Sequence, residues 1–396
     1  MRAILVGFII GVASTAAAQG LPTEPISVGG GRVVIGGEFA ATIAPEDPGF
    51  FDYTDYKYSA LRNLRLALTA QVRATDRLQF LAAVRMDRGE PFEPYGVYAR
   101  LRPWLSRRID IHVGRIPPTF GAFGRGGYSS SNMLIGYPLA YQYLTSLRRD
   151  ALPRTTEDLW RMRGRGWRAD YPLGSQEPGP GLPVVSAFRW DTGVQVHGVS
   201  RALEWTGAVT TGSLSNPRLG DLNNGRQLAG RMVVHLTPAV ALGVSAASGA
   251  FMDHSVESAL TPGAHANDAV QRGLGVDGEY SAGHFIGRAE AIWSRWTIPA
   301  PFNGGALQAA SVLAEGRYRL MPGVHLAVRA EHLGFNSLTS GARRLEWDAP
   351  VTRYEAGAGW SVLRNVMVKG SWQRNRRDAG RVRHDTMGAA QVVYWF

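Results

Sequence analysis

Residues 324–331 read Val-His-Leu-Ala-Val-Arg-Ala-Glu. In an extended chain Val324, Leu326, Val328 and Ala330 fall on one side, His325, Ala327, Arg329 and Glu331 on the other. Period two with two unlike faces predicts a strand between two different environments. The pattern recurs where Leu64, Leu66, Leu68, Ala70 and Val72 alternate with Arg65, Thr69, Gln71 and Arg73. It recurs again around Arg231 and His235, and around Glu315, Arg317 and Arg319. Sixteen segments read this way: 28–41, 58–73, 77–88, 93–103, 107–116, 190–199, 203–211, 226–236, 240–250, 270–280, 284–296, 308–320, 324–334, 351–362, 366–374 and 384–396. Eighteen is the alternative count, with any extra pair falling within 150–190.

A soluble sandwich would also alternate, but its turns would be of similar length. Here short turns near 74–76, 104–106, 200–202, 237–239, 281–283, 321–323 and 363–365 alternate with connections that are mostly long. The longest is 117–189. Short turns on one side and long loops on the other describe an all-β, antiparallel transmembrane barrel with a periplasmic and an extracellular end. The apolar face supplies two candidate aromatic girdles: Tyr280, Tyr318, Trp205 and Trp360 beside short turns, and Tyr95, Trp293 and Trp372 beside long loops.

The ends of the chain agree. Arg2, the apolar run 4–12 and Ala16-Ala17-Ala18 have the form of a signal peptide cleaved after residue 18, leaving 19–396 as one barrel domain. The last residues, Gly388 to Phe396, place Gly388, Ala390, Val392, Tyr394 and Phe396 on one face. A terminal aromatic on such a strand, with Tyr394 two before Phe396, resembles the C-terminal signal that bacterial outer-membrane proteins present to the barrel-assembly machinery. Closure of this strand against the first would remove an otherwise bare edge.

The 396 residues carry 43 Lys plus Arg against 32 Asp plus Glu, a formal charge of +11, and only Lys57 and Lys369 are lysines. Export makes nucleic acid a poor partner for this charge. With no cysteine there are neither disulfides nor thiolate metal sites. The nine histidines are scattered without metal spacing, and no cofactor or metal is expected. Gly273-Leu274-Gly275-Val276-Asp277-Gly278 matches G-x-G-x-x-G but lies inside a period-two strand, so it reads as barrel glycine rather than a dinucleotide loop.

If one face meets lipid, the other lines a lumen that sixteen strands make too wide for side chains to fill. Its expected cations are Arg65, Arg85, Arg100, Arg102, Arg231, Arg317, Arg319, Arg329 and Lys369. They read either as a track for anions or as braces paired with inward acids. The segment 117–189 is the third outward connection. It contains Leu139, Tyr143 and Leu147 at helical spacing, with Met133, Leu134, Ile135 and Tyr137 before them, too apolar to lie free. It also holds Arg125, Arg148, Arg149, Arg154, Arg161, Arg163, Arg165 and Arg168 against five acids. Positive charge at a constriction would favour anions.

Val113-Gly114-Arg115-Ile116-Pro117-Pro118-Thr119-Phe120-Gly121 resembles the strand-to-loop segment of the phosphate-selective porin O/P family. Asp191-Thr192-Gly193-Val194-Gln195-Val196-His197-Gly198 is similar to that family's returning strand. The resemblance implies a sixteen-stranded outer-membrane porin, usually a homotrimer, surrounded by lipid and lipopolysaccharide and passing small anions of phosphate or carboxylate type. In general bacterial porins the third loop folds into the lumen and narrows it, and the same is expected here. The alternatives are an outer-membrane barrel enzyme of lipase or protease type and a barrel that binds without conducting.

Overall fold

The computed structural model describes residues 22–54, 58–88, 90–123, 127–187, 190–218, 220–221 and 223–396. The leader expected at 1–18 and Arg125 lie outside the described residues.

The wall consists of sixteen antiparallel strands: β1 Val33–Ile43, β2 Leu64–Arg73, β3 Leu78–Asp87, β4 Glu93–Leu101, β5 Ile109–Ile116, β6 Asp191–Val199, β7 Leu203–Thr210, β8 Gln227–Thr237, β9 Val240–Ala250, β10 Val270–Ala282, β11 Phe285–Trp296, β12 Leu307–Met321, β13 Val324–Phe335, β14 Val351–Leu363, β15 Val366–Arg377 and β16 His384–Trp395. Each pairs with the next in the chain. The ring closes where Phe39 of β1 faces Tyr394 of β16. Phe396 completes the seam, exchanging backbone hydrogen bonds with Gly37 at 3.0 Å in both directions. A closed ring leaves no strand edge exposed.

Alternation puts Leu326, Val328, Leu228 and Leu274 outward and exposed, while His325, Ala327, Arg329 and Glu331 of β13 are buried inward. Tyr280, Tyr318, Trp360, Trp293 and Trp372 are also exposed, as the girdles require. An outer surface this apolar is suited to lipid, not water.

Four expectations change. The first strand starts at Val33, not 28, because Gly29, Gly30 and Gly31 adopt positive φ and fold Ile26–Val28 back onto Val33–Ile35. The second starts at Leu64, since Ala60 N–H is committed to the Asp52 carbonyl in the preceding loop. Tyr95 points inward and is buried: the β3–β4 register slips between Ala83 and Val84, and one extra residue reverses the alternation. The helical spacing at Leu139, Tyr143 and Leu147 yields only one turn, α1 Leu139–Gln142, because Tyr143 is already extended. Within 150–190 the only paired strands described, Ala151–Leu152 with Leu173–Gly174, belong to the loop and not to the wall.

The largest apolar core lies inside the ring rather than between sheets. Leu139, Tyr141, Tyr143, Leu147, Leu159 and Val184 of the third loop pack there with Phe51, Trp296 and Trp347.

Candidate functional site

The third loop crosses the lumen and descends through it. It leaves β5 at Ile116, which faces Asp191 across the β5–β6 pair, with Gly114 opposite Gly193. The two segments that carry the family resemblance are therefore neighbours. Gly114 has φ 130°, and a Cβ there would overlap the Val97 carbonyl, so this position needs glycine. Phe120 then lies buried against β10, where a Cβ on Gly275 would stand 3.1 Å from its ring and one on Gly273 would overlap Leu214. That explains the glycine motif of this strand as a seat for the loop.

Beyond Phe120 the loop's backbone hangs on charged wall residues. Ala122 N–H donates to Glu290 at 2.8 Å, and Tyr141 OH donates to the same oxygen at 2.7 Å. On the opposite wall Ser129 and Ser130 N–H donate to the Glu38 carboxylate at 2.8 and 2.9 Å. Gly136 N–H donates to Glu355 at 3.0 Å and Leu139 N–H to Glu331 at 2.6 Å. Wall cations take the carbonyls: Lys369 Nζ donates to Ser129 and Asn132 at 2.6 Å, Arg329 to Gly136 at 2.8 Å and Arg353 to Tyr137 at 3.2 Å. Lys369 is the fourth residue of β15, so the loop reaches into the half of the barrel that carries the short turns. Met133 and Leu134 pack there against Ala327 and Ile286.

This arrangement answers a physical requirement. Residues 127–147 contain no charged side chain, yet their irregular backbone runs through the bore. Unpaired peptide groups buried there would each be costly. The wall supplies the missing donors and acceptors from ionised groups, which make the stronger hydrogen bonds.

The wall cations accordingly act mostly as braces. Arg65 and Arg85 share Asp87 at 2.8 and 2.7 Å, and Arg65 also meets the Tyr137 hydroxyl. Arg102 holds Asp110 through both carboxylate oxygens, and Arg231 holds Asp277 in the same way. Arg100 bonds Gln79. Arg329 sits between Glu315 and Glu355, at 2.8 and 3.2 Å. Among the described residues Arg317 and Arg319 have no carboxylate within salt-bridge distance; both lie on β12 towards its short-turn end.

The loop arginines are expected at the constriction; the leg that runs through the bore, residues 127–147, carries none of them. Those described belong to the outer half of the loop, because the inner leg carries none. Arg148 is buried, paired with Asp150 at 2.9 Å and donating to the Ala169 and Glu177 carbonyls. Arg149 faces Asp253 at 3.5 Å, and Arg154 is exposed. Arg161, Arg163, Arg165 and Arg168 lie on or just after α2 Thr156–Met162 and line an outward-facing cup. Below the loop, a cavity of about 360 Å³ remains on the short-turn side. It is lined by Arg231, Arg288, Asp277, Glu279, Glu290 and Glu315 and roofed by Gly121 to Phe123 and Asn132. Its charge is mixed.

Several anchors escape a sequence reading. Glu38, Glu290, Glu331 and Glu355 stand at inward positions, but nothing in period two marks them as loop ligands. Asp348, in the loop after β13, was not expected at all. It is fully buried and accepts from Ser146 N–H at 2.6 Å, Gly164 N–H at 2.8 Å and Ala349 N–H at 2.7 Å. Burial pushes its carboxyl above the usual range while these three donors pull it back. Asp348→Ala should free two loop amides at a cost of about 1–3 kcal/mol. Hydrogen exchange at Ser146 and Gly164 should then accelerate by about ten- to a hundredfold; unchanged exchange would show that the carboxylate is not the pin.

The chain matches no family model and no curated protein. Its fold matches solved structures. An anion-selective porin from Comamonas acidovorans superposes with a TM-score of 0.56 at 8% identity, over 92% of this chain and 99% of that one. The outer membrane channel DcaP of Acinetobacter baumannii gives 0.54 at 9% identity, over 94% and 100%. OmpF of Salmonella typhi, in complex with daunomycin, gives 0.53 at 12% identity, over 92% and 97%. The likeness is one of fold: a closed, porin-like, sixteen-stranded barrel. With its apolar outer belt, that barrel is an outer-membrane protein.

Proposed function

We propose that this protein is an outer-membrane channel for small solutes, with a bore set by the third loop and a preference for anions. The observation that carries the channel is the loop itself: an uncharged leg enters the lumen and is fixed by hydrogen bonds to charged wall side chains, with a polar cavity of about 360 Å³ left beneath it. A wall built only as a scaffold has no need of that arrangement. The anion preference rests on cations left, among the described residues, without acids at both ends, Arg317 and Arg319 below and Arg165 and Arg168 of the cup above. The paired segments 113–121 and 191–198 support membership of the phosphate-selective porin O/P type, and with it assembly as a homotrimer.

Planar-bilayer recording tests the proposal. The purified protein should open discrete channels, and a KCl gradient should give a reversal potential of the sign for chloride preference. Arg317→Ser with Arg319→Ser should move that potential towards zero; a cation-selective wild type would refute the anion claim. The density of loop packing favours one second reading, a barrel that binds at its mouth and does not conduct. Silence in the bilayer would support it. Hydrolysis of a lipid or peptide substrate by the same preparation would favour the enzymatic alternative.

A further inference from the structure

The outward cup lies over the barrel mouth, enclosed by the third loop and by the loops around Phe50, Arg343 and Arg381. Its volume is about 650 Å³, within the range of small-molecule sites. Two kinds of group meet in it. Arg165, Arg168, Arg343 and Arg381 are exposed, and among the described residues none has a carboxylate within salt-bridge distance. Arg163 is almost buried; it pairs with Asp378 at 2.7 Å and Glu346 at 3.6 Å, and among the described residues its Nε–H has no partner. Asp170 is the one acid among the described lining residues.

The other component is aromatic. Trp167 stacks on Phe50 with ring centroids 3.7 Å apart and planes 12° apart, and Tyr53 stands edge-on to Phe50 at 4.9 Å. Phe50 holds this position at φ 55°, a left-handed conformation that non-glycine residues rarely adopt. Such outliers concentrate at ligand sites. Across the cup, Arg343 lies over the Trp160 ring at 5.0 Å.

The backbone under these groups is fixed. Thr155 and Asp158 form a capping box at the start of α2, Asp348 holds Gly164, and Ala169 exchanges backbone hydrogen bonds with Gly179 at 2.9 and 3.0 Å. Rigid backbone with unpaired guanidinium groups is a preorganised site, in which binding has few main-chain degrees of freedom to order.

We propose that this cup binds a small anion that carries an aromatic ring, and captures it above the bore. Guanidinium forks would take a carboxylate or phosphate. The half-buried aromatic surface of Phe50 and Trp167 would take the ring by stacking. A bare inorganic anion would leave the aromatic part unused, and a neutral ring would leave the arginines unused. Binding does not depend on conduction; only the cup's place above an open bore rests on the channel proposal.

Calorimetry on the purified full-length protein would test this with three probes: phenyl phosphate, inorganic phosphate and phenol. Phenyl phosphate should bind at least tenfold more tightly than either of the others. Arg165→Ser with Arg168→Ser, and separately Trp167→Ala, should each weaken it about tenfold, while Trp167→Phe stays within threefold. Equal affinity for inorganic phosphate, or an unaltered Trp167→Ala, would overturn the assignment. In a bilayer, phenyl phosphate should reduce current from the long-loop side at concentrations without effect from the other side. A protein that binds but opens no channels would sink the channel and leave the cup intact.

Discussion

Replacing residues 117–190 by a two-residue Asn-Gly turn should raise single-channel conductance severalfold. The cut is compatible with the fold because Ile116 and Asp191 already face each other in the β5–β6 ladder. A type I′ turn closes two such strands directly. The ring of strand pairings does not pass through the loop, so the barrel should still close. What disappears is the core of Leu139, Tyr141, Tyr143, Leu147, Leu159 and Val184, which fills space that sixteen strands cannot fill from their own side chains. The wall charges left behind should tolerate the change. Arg65 keeps Asp87, Arg231 keeps Asp277 and Arg329 keeps Glu315, and water can satisfy the rest. Selectivity should weaken as the bore widens, since ions would pass further from any fixed charge. Conductance equal to that of the intact protein would show that the loop does not obstruct the path.

How much of this the sequence shows depends on whether a feature is local. The wall is legible because lipid on one side and a polar interior on the other impose period two on every strand. The ranges for β9 and β13 differ from expectation by at most one residue. Errors arise where local chemistry interrupts the period: three glycines at 29–31, and the bulge that turns Tyr95 inward. The site is less legible. Arg329 and Glu331 are visibly inward, but that Arg329 would hold Gly136, 193 positions away in sequence, is set by tertiary path alone. One signal was available. Between residues 117 and 147 only Arg125 is charged, which separates an inner leg needing partners from an outer half rich in arginine. Counting the arginines over the whole loop concealed that division.

The second large effect should come from Arg329→Met. The guanidinium donates to Glu315 at 2.8 and 3.0 Å, to Glu355 at 3.2 Å, to the Gly136 carbonyl at 2.8 Å and to Asn132 at 3.2 Å. None of the three charged side chains is more than 5% exposed. Removing the arginine takes from Glu355 its salt-bridge partner and leaves Glu315 with Arg288 alone, at 3.6 Å, so two buried carboxylates face each other with most of their compensation gone, which costs about 3–5 kcal/mol. The barrel can relieve that cost by releasing the loop and admitting water. The loop-docked state should therefore lose about two to three orders of magnitude in its equilibrium constant. Trypsin reads this directly: cleavage after loop arginines such as Arg161 and Arg165 should accelerate, while the strands stay protected. Arg329→Lys keeps the charge with fewer donors and should fall between the two. Adding Glu315→Gln and Glu355→Gln to Arg329→Met removes the uncompensated charges and should restore much of the protection, because neutral replacement of a whole buried pair is often tolerated. If Arg329→Met resisted trypsin like the parent, the loop would be held by its apolar core alone. The ionic anchors would then be ornaments of a docking that does not need them.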